Sequence, residues 1–419
     1  MPTQHPSLFA MVHRLSWLSS VRLRLAHHPR GLYLLCLAVL CERWAASILA
    51  SSLVLMLCER YGQLQSEALR WSALYNAASY LLTLPGGFAV DRSLGARRSL
   101  GTGMALLTCG YAALTIAAPL GLWLAGALLL LGHSLFKPSA QAVMVLLYQR
   151  YDPRLEAAQI VFYFVINIAV TAGAVCAGLL VYGHEFRTAF ALAAVILSLG
   201  TLAVFIGNES LRLRTKRTAL SSQEPAPPLS LSTQLRVRRI AVLTLAMLLF
   251  TVGFGQVEGS LLFWAQDRTD RVLLGFEIPP AWFVGLPALL VLLLAPVQLA
   301  FLPRLQHWMG TPRLIGLGLC ATLLAFAVLI PPALLFSHDR VSMLWLVLCM
   351  TLLVIGELLI APLGLALLLR LTPPRFVGVV LGVWYVAGAL GCWLAGEVGA
   401  VWVDRMAKRN TCTGGVLCA

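Results

Sequence analysis

Long apolar runs dominate this chain of 419 residues and limit what it can fold into. A helix needs about 20 consecutive apolar residues to cross the hydrocarbon core of a bilayer, and eleven runs approach or exceed that length. We number them spans 1 to 11: 33–57, 70–90, 99–118, 120–148, 157–182, 188–206, 239–264, 281–303, 314–336, 342–369 and 376–402. Only 11% of the residues are charged, against about 25% in a typical soluble domain. The runs therefore predict an all-α polytopic membrane protein.

The polar stretches between the runs divide the chain and orient it. They predict a cytoplasmic tail at 1–30, six spans at 31–206, a cytoplasmic linker at 207–238, five spans at 239–404 and a polar tail at 405–419. Connections on the same side as the N-terminus carry 20 Lys and Arg, and those on the other side carry six. Basic residues concentrate in cytoplasmic loops, so the N-terminus is predicted to be inside. This bias accounts for the formal net charge of +14 without a nucleic-acid partner.

Three ionisable residues stand out among those inside the apolar runs: Glu42 in span 1, Lys137 in span 4 and Glu357 in span 10. A charge at membrane depth is costly, so such residues usually face the interior of a bundle or a water-filled path. Their presence predicts that something polar passes through the protein.

The sequence contains no glycine-rich loop of the nucleotide-binding types and no metal-ligand or Ser-His arrangement. We therefore expect no cofactor, no metal and no enzymatic activity. A pump driven by a nucleotide is also not predicted.

Several segments resemble the motifs of one family of membrane proteins. GGFAVDRSLGARRSL, between spans 2 and 3, resembles a loop of the major facilitator superfamily. CERWAASILASSLVLML in span 1, GHSLFKPSAQAVMVLLYQRYDPR in span 4 and the loop after it, FYFVINIAVTAG in span 5 and GELLIAPLGL in span 10 are similar to motifs of its proton-dependent oligopeptide transporters. The matches are collinear over about 31–397. The chain is thus identified as a divergent member of this family. The resemblance implies two helical bundles, here with six and five spans, because a twelfth span is not found.

The resemblance also implies roles for individual residues. Proton coupling falls to Glu42, Arg43 and Lys137. Substrate binding falls to Lys137, Glu357, Asn167, Tyr163, Tyr80, Trp384, Gln256 and Glu258. The loop after span 2 is expected to form an inner hinge in which charged side chains cap helix ends and pair across the bundles; its residues are Asp91, Arg92, Gly95, Arg97 and Arg98.

The function implied is secondary active transport by alternating access, with protons as the coupling ion and di- or tripeptides or related small zwitterions as substrates. Two alternatives stay open: a weakly coupled facilitator or exporter of a non-peptide metabolite, and a non-transporting membrane subunit or sensor. The expected location is the plasma membrane, as a bacterial inner-membrane protein. For the absent twelfth span, the alternatives are a truncated chain, a genuinely eleven-span relative, or a partner helix that completes the bundle.

Three positions depart from the family pattern. Val39 stands where the family has the first glutamate of its span-1 motif, Ala50 where it has an arginine, and Gly255 where it has a glutamate in span 7. In the family, that arginine and the span-7 glutamate can pair as an outer gate, and losing both avoids a buried unpaired charge. We therefore predict that the outer gate closes by packing instead of an ion pair. Glu258 is the alternative source of a displaced carboxylate.

Overall fold

The computed structural model describes residues 28–116, 119–148, 152, 154–181, 185–211, 233–335, 340–373 and 376–414, and most of them are helical. Spans 1 to 6 consist of Arg30–Tyr61, Gln65–Leu81 with Thr83–Ala89, Ala96–Leu114, Pro119–Leu146, Arg154–Val181 and Phe186–Ile206. Spans 7 to 11 consist of Thr233–Phe254 with Ser260–Asp267, Pro280–Met309, Thr311–Ala327 with Ile330–Leu335, Met343–Leu371 and Val377–Gly414. A π-helical turn, Val90–Leu94, follows span 2, and a 3₁₀ turn, Gly207–Leu211, follows span 6.

Nine helices within these ranges are long and apolar enough to cross a membrane, judged by length and composition. The helices of spans 2 and 3 are not among them. Span 2 is divided at Leu82 into two shorter pieces, and Gly, Thr and Arg residues lower the hydropathy of span 3. The fold is nevertheless that of an all-α, multi-pass membrane protein.

Two predicted boundaries differ from the structure. The helix of span 7 begins at Thr233, so residues 233–238 of the predicted linker are helical. The helix of span 11 continues to Gly414, so most of the predicted polar tail is also helical. Charged residues at both places interrupt the apolar run but still favour helix, which is why the sequence pattern predicts two helices that are too short. Residues 1–27, 212–232 and 415–419 of the predicted tails and linker lie outside the described ranges.

Glycines bring the helices of the N-terminal bundle close together. A Cβ atom on Gly173 of span 5 would lie 2.4 Å from the carbonyl oxygen of Trp44 in span 1, and one on Gly103 of span 3 would lie 2.9 Å from the backbone nitrogen of Phe136 in span 4. Small residues at such positions let backbones touch, which supports helix packing in a bilayer. Spans 1 and 4, which carry Glu42 and Lys137, are therefore held firmly in this bundle.

The C-terminal bundle packs in the same way, with spans 9 and 10 in close contact. A Cβ on Gly356 of span 10 would lie 2.5 Å from the hydroxyl oxygen of Thr322, and one on Gly318 would lie 2.7 Å from Ile360. Gly356 directly precedes Glu357. The close contact therefore fixes the height at which the Glu357 carboxylate leaves span 10.

The two bundles meet along a seam, which we define as the contact of span 2 with span 11 and of span 5 with span 8. We name the two ends of the molecule the Gly62 end, after the turn between spans 1 and 2, and the Asp91 end, after the turn between spans 2 and 3. A Cβ on Gly396, towards the Gly62 end, would lie only 2.2 Å from Ala73 across the seam. On Gly388 and Gly382, towards the Asp91 end, the nearest neighbours would be 3.8 and 3.9 Å away. The seam is thus tightest at the Gly62 end.

Short strands cover part of the Gly62 end. Thr269–Asp270 pairs in parallel with Val341–Ser342, and Val272–Leu273 forms a hairpin with Phe276–Glu277. The hairpin turns at Leu274 and Gly275, which both have positive φ angles as tight two-residue hairpin turns require. This hairpin leads directly into span 8.

Candidate functional site

The Glu42 carboxylate is the most deeply buried charge of the predicted set, with only 1% of the residue exposed. The guanidinium of Arg43 donates to both carboxylate oxygens. His133 of span 4 places its Nδ1 atom 3.1 Å from Glu42 Oε1. A buried charge survives only when it is paired and hydrogen-bonded, so the structure explains how Glu42 is tolerated. We call these three residues the Glu42 cluster.

Two buried tyrosine hydroxyls lie near this cluster. Tyr75 and Tyr111 lie close enough to Glu42 and Arg43 for the charges to act on their hydroxyl groups. Neither hydroxyl has a hydrogen-bond partner among the residues that the structure describes. Buried polar groups are nearly always satisfied by protein or water, so this region has free hydrogen-bonding capacity next to the predicted coupling residues.

Lys137 contacts span 2 and does not pair with Glu42. Its ammonium donates to Ser79 Oγ at 2.6 Å and lies 5.4 Å from the centre of the Tyr80 ring, within the range of a cation–π contact. In the described part of the chain it forms no ion pair. The Lys137 ammonium is therefore available to a substrate anion.

Glu357 stands in the opposite bundle with an unpaired carboxylate. Within the described residues it has no hydrogen bond or ion pair, and it is only partly buried. It lies close enough to Tyr80 and Tyr163 for its charge to act on both hydroxyls. These tyrosines keep 39% and 37% of their surface exposed. We use the name central chamber for the region around Lys137, Tyr80, Tyr163 and Glu357.

Two other residues predicted to bind the substrate, Asn167 and Trp384, contact other parts of the protein instead. The Asn167 amide donates to the carbonyl of Tyr163, four residues earlier in span 5, at 2.9 Å. Trp384 is buried in the apolar core of the C-terminal bundle, where a Cβ on Gly364 would lie 3.0 Å from its ring. The structure thus places Trp384 in helix packing, because its large apolar ring fills the space opposite a glycine.

Span 7 is interrupted between Phe254 and Ser260, and Gln256 stabilises the break. Its Nε2 atom donates to the carbonyls of Val252 at 3.2 Å and Ala395 at 2.9 Å, and its Oε1 atom accepts from Ser260 Oγ at 2.6 Å. The structure therefore places Gln256 in bonds within the protein, where the sequence analysis predicts a substrate contact. Its Nε2 atom satisfies one carbonyl of span 7 and one of span 11, and its Oε1 atom satisfies a side-chain hydroxyl.

Glu258 lies in the interrupted segment and reaches across the seam. Its carboxylate accepts a hydrogen bond from Asn76 Nδ2 of span 2 at 3.0 Å, and its charge acts on Lys137 and Arg43. A cavity of about 30 Å³ beside it is lined partly by Asn76, Glu258 and Cys392. This volume is large enough for one water molecule. Gly255 stands where the family pattern has a glutamate, and Glu258 thus supplies a carboxylate three residues later that bonds to the other bundle.

The predicted inner hinge lacks the side-chain contacts expected of it. The π-helical turn ends at Gly95, whose φ angle of 77° lies in the region that favours glycine. No side-chain cap is present at this turn, and Asp91 makes no ion pair among the described residues. Arg92 lies over the Phe88 ring at 5.2 Å, whereas Arg97 and Arg98 are partly buried and exposed, respectively. Among the described residues, the expected ion pairs across the bundles are not found at this hinge.

The contacts at the Gly62 end bear on the predicted outer gate, which stays a prediction. Small residues close the Gly62 end by packing, and a Cβ at Gly255 itself would lie 2.7 Å from the Cβ of Ala395. However, Arg70 of span 2 also pairs with Glu397 of span 11 at 3.2 Å. The prediction excluded an ion pair because it considered only the positions of Ala50 and Gly255.

Sequence reasoning missed Asn76 and Ser79. Asn76 and Ser79 lie three residues apart on one face of span 2, and both face charged partners. Polar residues at helical spacing inside an apolar run are the signal that could have found them.

The comparison with known proteins agrees with this architecture. The family model described as Major Facilitator Superfamily matches residues 35–396, so the chain belongs to that superfamily of membrane transporters. A peptide transporter, YePEPT, from Yersinia enterocolitica is 27% identical over 89% of this chain and 88% of its own length. The dipeptide and tripeptide permease A of Erwinia pyrifoliae is 26% identical over 88% of this chain and 85% of its own.

Solved structures show the same fold. A crystal structure of the peptide transporter POT in complex with alafosfalin has a TM-score of 0.80 at 25% identity and covers 89% of both chains. A POT family transporter in complex with 5-aminolevulinic acid has a TM-score of 0.82 at 21% identity, covering 92% of this chain and 93% of that one. Within the superfamily, the chain is a member of the proton-dependent oligopeptide transporter family and not an enzyme.

Proposed function

We propose that this protein is a proton-coupled symporter of di- or tripeptides or related small zwitterions and that it works by alternating access. The observation that carries the proposal is the pair of opposite charges on the central chamber. An unpaired ammonium from one bundle, Lys137, and an unpaired carboxylate from the other, Glu357, both border the space next to Tyr80. A peptide carries the complementary charges at its two ends.

The substrate class is supported from two directions. A solute that brings one carboxylate and one ammonium would satisfy both Lys137 and Glu357, which are costly to leave unpaired inside a membrane protein. Among the relatives are peptide transporters, and structures of similar fold contain alafosfalin and 5-aminolevulinic acid. Because Ala50 replaces an arginine of the family pattern, the carboxylate would rest on Lys137 alone. Small zwitterions whose carboxylate needs only one cationic partner would be favoured.

Alternating access is supported by the asymmetry of the seam. The seam is tight at the Gly62 end and looser at the Asp91 end, which favours a chamber that opens towards the Asp91 end. The distribution of basic loops puts the Asp91 end in the cytoplasm. The conformation is then inward-open. The reverse state requires the Arg70–Glu397 and Asn76–Glu258 contacts to part and the Asp91 end to close.

Proton coupling would involve the Glu42 cluster and Glu258. Both carboxylates act electrostatically on Lys137, so protonation of either would change how strongly Lys137 attracts a substrate carboxylate. His133, in contact with Glu42, would pass a proton to or from it.

Uptake into proteoliposomes tests the proposal, using radiolabelled dialanine and 5-aminolevulinic acid with and without an inward proton gradient. A hydrogen bond to a charged group contributes about 1.5–3 kcal/mol, so Lys137→Ala and Glu357→Ala should each lower uptake about 10- to 150-fold. Thr108→Ala, which removes a hydrogen bond inside the N-terminal bundle, is the control and should transport normally. If the wild type takes up neither substrate, or if uptake is unchanged in the two charge variants, the proposal is refuted.

A weakly coupled facilitator is the second candidate, because Val39 removes one carboxylate of the family pattern and Arg43 already neutralises Glu42. The two candidates differ in one measurement. A symporter acidifies the vesicle interior when dialanine is added, which a trapped pH-sensitive dye reports. A facilitator moves dialanine without that signal.

A further inference from the structure

A tryptophan of span 8 crosses the seam at the Gly62 end. Trp282 lies in the first turn of span 8, and its indole Nε1 atom donates to the carbonyl of Val175 in span 5 at 3.1 Å. The ring faces Gly178, three residues further along span 5, where a Cβ would lie 2.2 Å from the Cδ1 atom and 2.3 Å from the Nε1 atom of the ring. An aromatic ring of one bundle therefore fills a notch in the backbone of the other.

The hairpin before span 8 supports this ring from its own bundle. Phe276 packs against Trp282 with the ring centres 5.8 Å apart and the planes tilted by 34°, within the usual range of aromatic pairs. Arg271 braces the hairpin, because its guanidinium donates to the carbonyl of Ile278 at 2.6 Å and to the carboxylate of Glu277 at 2.7 Å. The Trp282 ring is thus held by the C-terminal bundle and inserted into the N-terminal one.

The contact lies where spans 5 and 8 begin to separate towards the Gly62 end. One turn closer to the Asp91 end, the two backbones are in close contact, since a Cβ on Gly285 would lie 2.4 Å from the Cβ of Ala174. At the level of Gly178, in contrast, a cavity of about 390 Å³ is lined partly by Gly178 and Pro279. Because the seam is not filled at this level, the Trp282 ring supplies a large part of the contact that closes it.

We propose that Trp282 is a gating residue of the transport cycle. Its ring latches spans 5 and 8 together while the Gly62 end is closed, and it leaves the notch at Gly178 when that end opens. The contact is a feature of the structure, whereas its gating role rests on the proposed alternating access. Spans 2 and 11 close through the small residues Gly396 and Ala73, so the two halves of the seam are secured in different ways.

Distances between spin labels in the purified full-length protein in nanodiscs test the latch. Leu64 and Leu334 report on the Gly62 end, and Leu94 and Val379 report on the Asp91 end. All four positions are exposed, each pair joins opposite bundles, and none lies in the hairpin. Native cysteines are removed first. If the latch also works within alternating access, opening at the Gly62 end should be accompanied by a shorter distance at the Asp91 end.

Two substitutions of the tryptophan separate its hydrogen bond from its ring. Trp282→Phe keeps an aromatic ring and removes the N–H donor, and the loss of one neutral hydrogen bond should raise the ratio of open to closed molecules at the Gly62 end about 2- to 10-fold. Trp282→Ala also empties the notch and should raise this ratio further. Trp308→Ala is the matched control, because that indole is 81% exposed at the Asp91 end, and its distances should equal those of the wild type.

Gly178→Ala tests whether the notch and the ring act as one contact. The added methyl group would expel the ring and should open the Gly62 end. In the double variant Gly178→Ala with Trp282→Ala, the methyl group no longer meets a ring. The opening should then equal that of Trp282→Ala alone, because substitutions that act through one contact are not additive.

The outcomes separate the latch from the proposed function. Unchanged distances at the Gly62 end in Trp282→Phe and Trp282→Ala overturn the latch, as does equal opening in Trp308→Ala or an additive double variant. Opening in Trp282→Ala but not in Trp282→Phe supports the latch and assigns it to the ring. Opening at the Gly62 end without any change at the Asp91 end leaves the latch standing and refutes the proposed alternating access.

Discussion

The contact between Gly396 and Ala73 makes a sharp prediction about how the protein cycles. A Cβ added at Gly396 would lie 2.2 Å from the Cβ of Ala73 and 3.1 Å from the carbonyl oxygen of Leu69. Non-bonded carbon atoms prefer a separation of about 3.5–4.0 Å. Gly396→Ala therefore forces spans 2 and 11 apart by roughly 1 Å where the bundles meet.

The cost of this substitution falls on one conformation only. Overpacking destabilises a close contact by about 1–3 kcal/mol. Conformations in which the Gly62 end is open lack this contact and are not destabilised. A difference of that size shifts a conformational equilibrium about 5- to 150-fold. Gly396→Ala should therefore favour opening at the Gly62 end and reduce uptake by a comparable factor, because the carrier no longer closes efficiently behind its substrate.

The assay is a distance measurement between spin labels at Leu64 and Leu274, two exposed positions on opposite bundles at the Gly62 end, in a background without native cysteines. The longer distance should gain population in Gly396→Ala. Gly126→Ala is the matched control, since a Cβ there meets nothing within 4 Å. Ala73→Gly should restore the wild-type distances in the Gly396→Ala background. An unchanged distance distribution in Gly396→Ala, or no recovery in the double variant, would show that the seam is not closed by this contact.

Three further substitutions test other parts of the structure. Asn76→Ala removes a hydrogen bond to a carboxylate across the seam, about 1.5–3 kcal/mol, and should populate the open Gly62 end in the same distance assay, while the intrabundle control Thr108→Ala should not. His133→Leu leaves the span-1 carboxylate with one partner fewer, and the pH dependence of uptake should change while dialanine binding at neutral pH persists; an identical pH profile argues against a proton-transfer role. Gln256→Leu strands two backbone carbonyls near the break in span 7 and should lower the melting temperature by several degrees, a result that normal stability would contradict.

Much of the fold could be predicted from the sequence because bilayers impose simple rules on length and hydropathy. The apolar runs coincide with helices even where a span is divided, as at Leu82 in span 2. The helix ends were predicted poorly at Thr233 and Gly414, since helical geometry continues beyond the membrane where charged residues replace apolar ones. Hydropathy reports the solvent around a helix and not where its hydrogen bonding stops.

The site was predictable only in part, for a different physical reason. Glu42, Lys137 and Glu357 were found because a charge in an apolar run is conspicuous. Their partners depend on which faces of separate helices meet, and a single sequence does not contain that information. Asn76 therefore went unnoticed, and Gln256 was assigned to substrate when it bonds the backbone.

The break in span 7 lets the two helical pieces of this span move separately. A continuous helix would carry a rotation of Thr233–Phe254 straight into Ser260–Asp267. Here a five-residue turn joins the two pieces, and one amide side chain bonds this turn to span 11. The piece Ser260–Asp267 can therefore tilt while Thr233–Phe254 stays packed in its core. A small molecule wedged against that joint would arrest the carrier without ever occupying the place where its cargo sits.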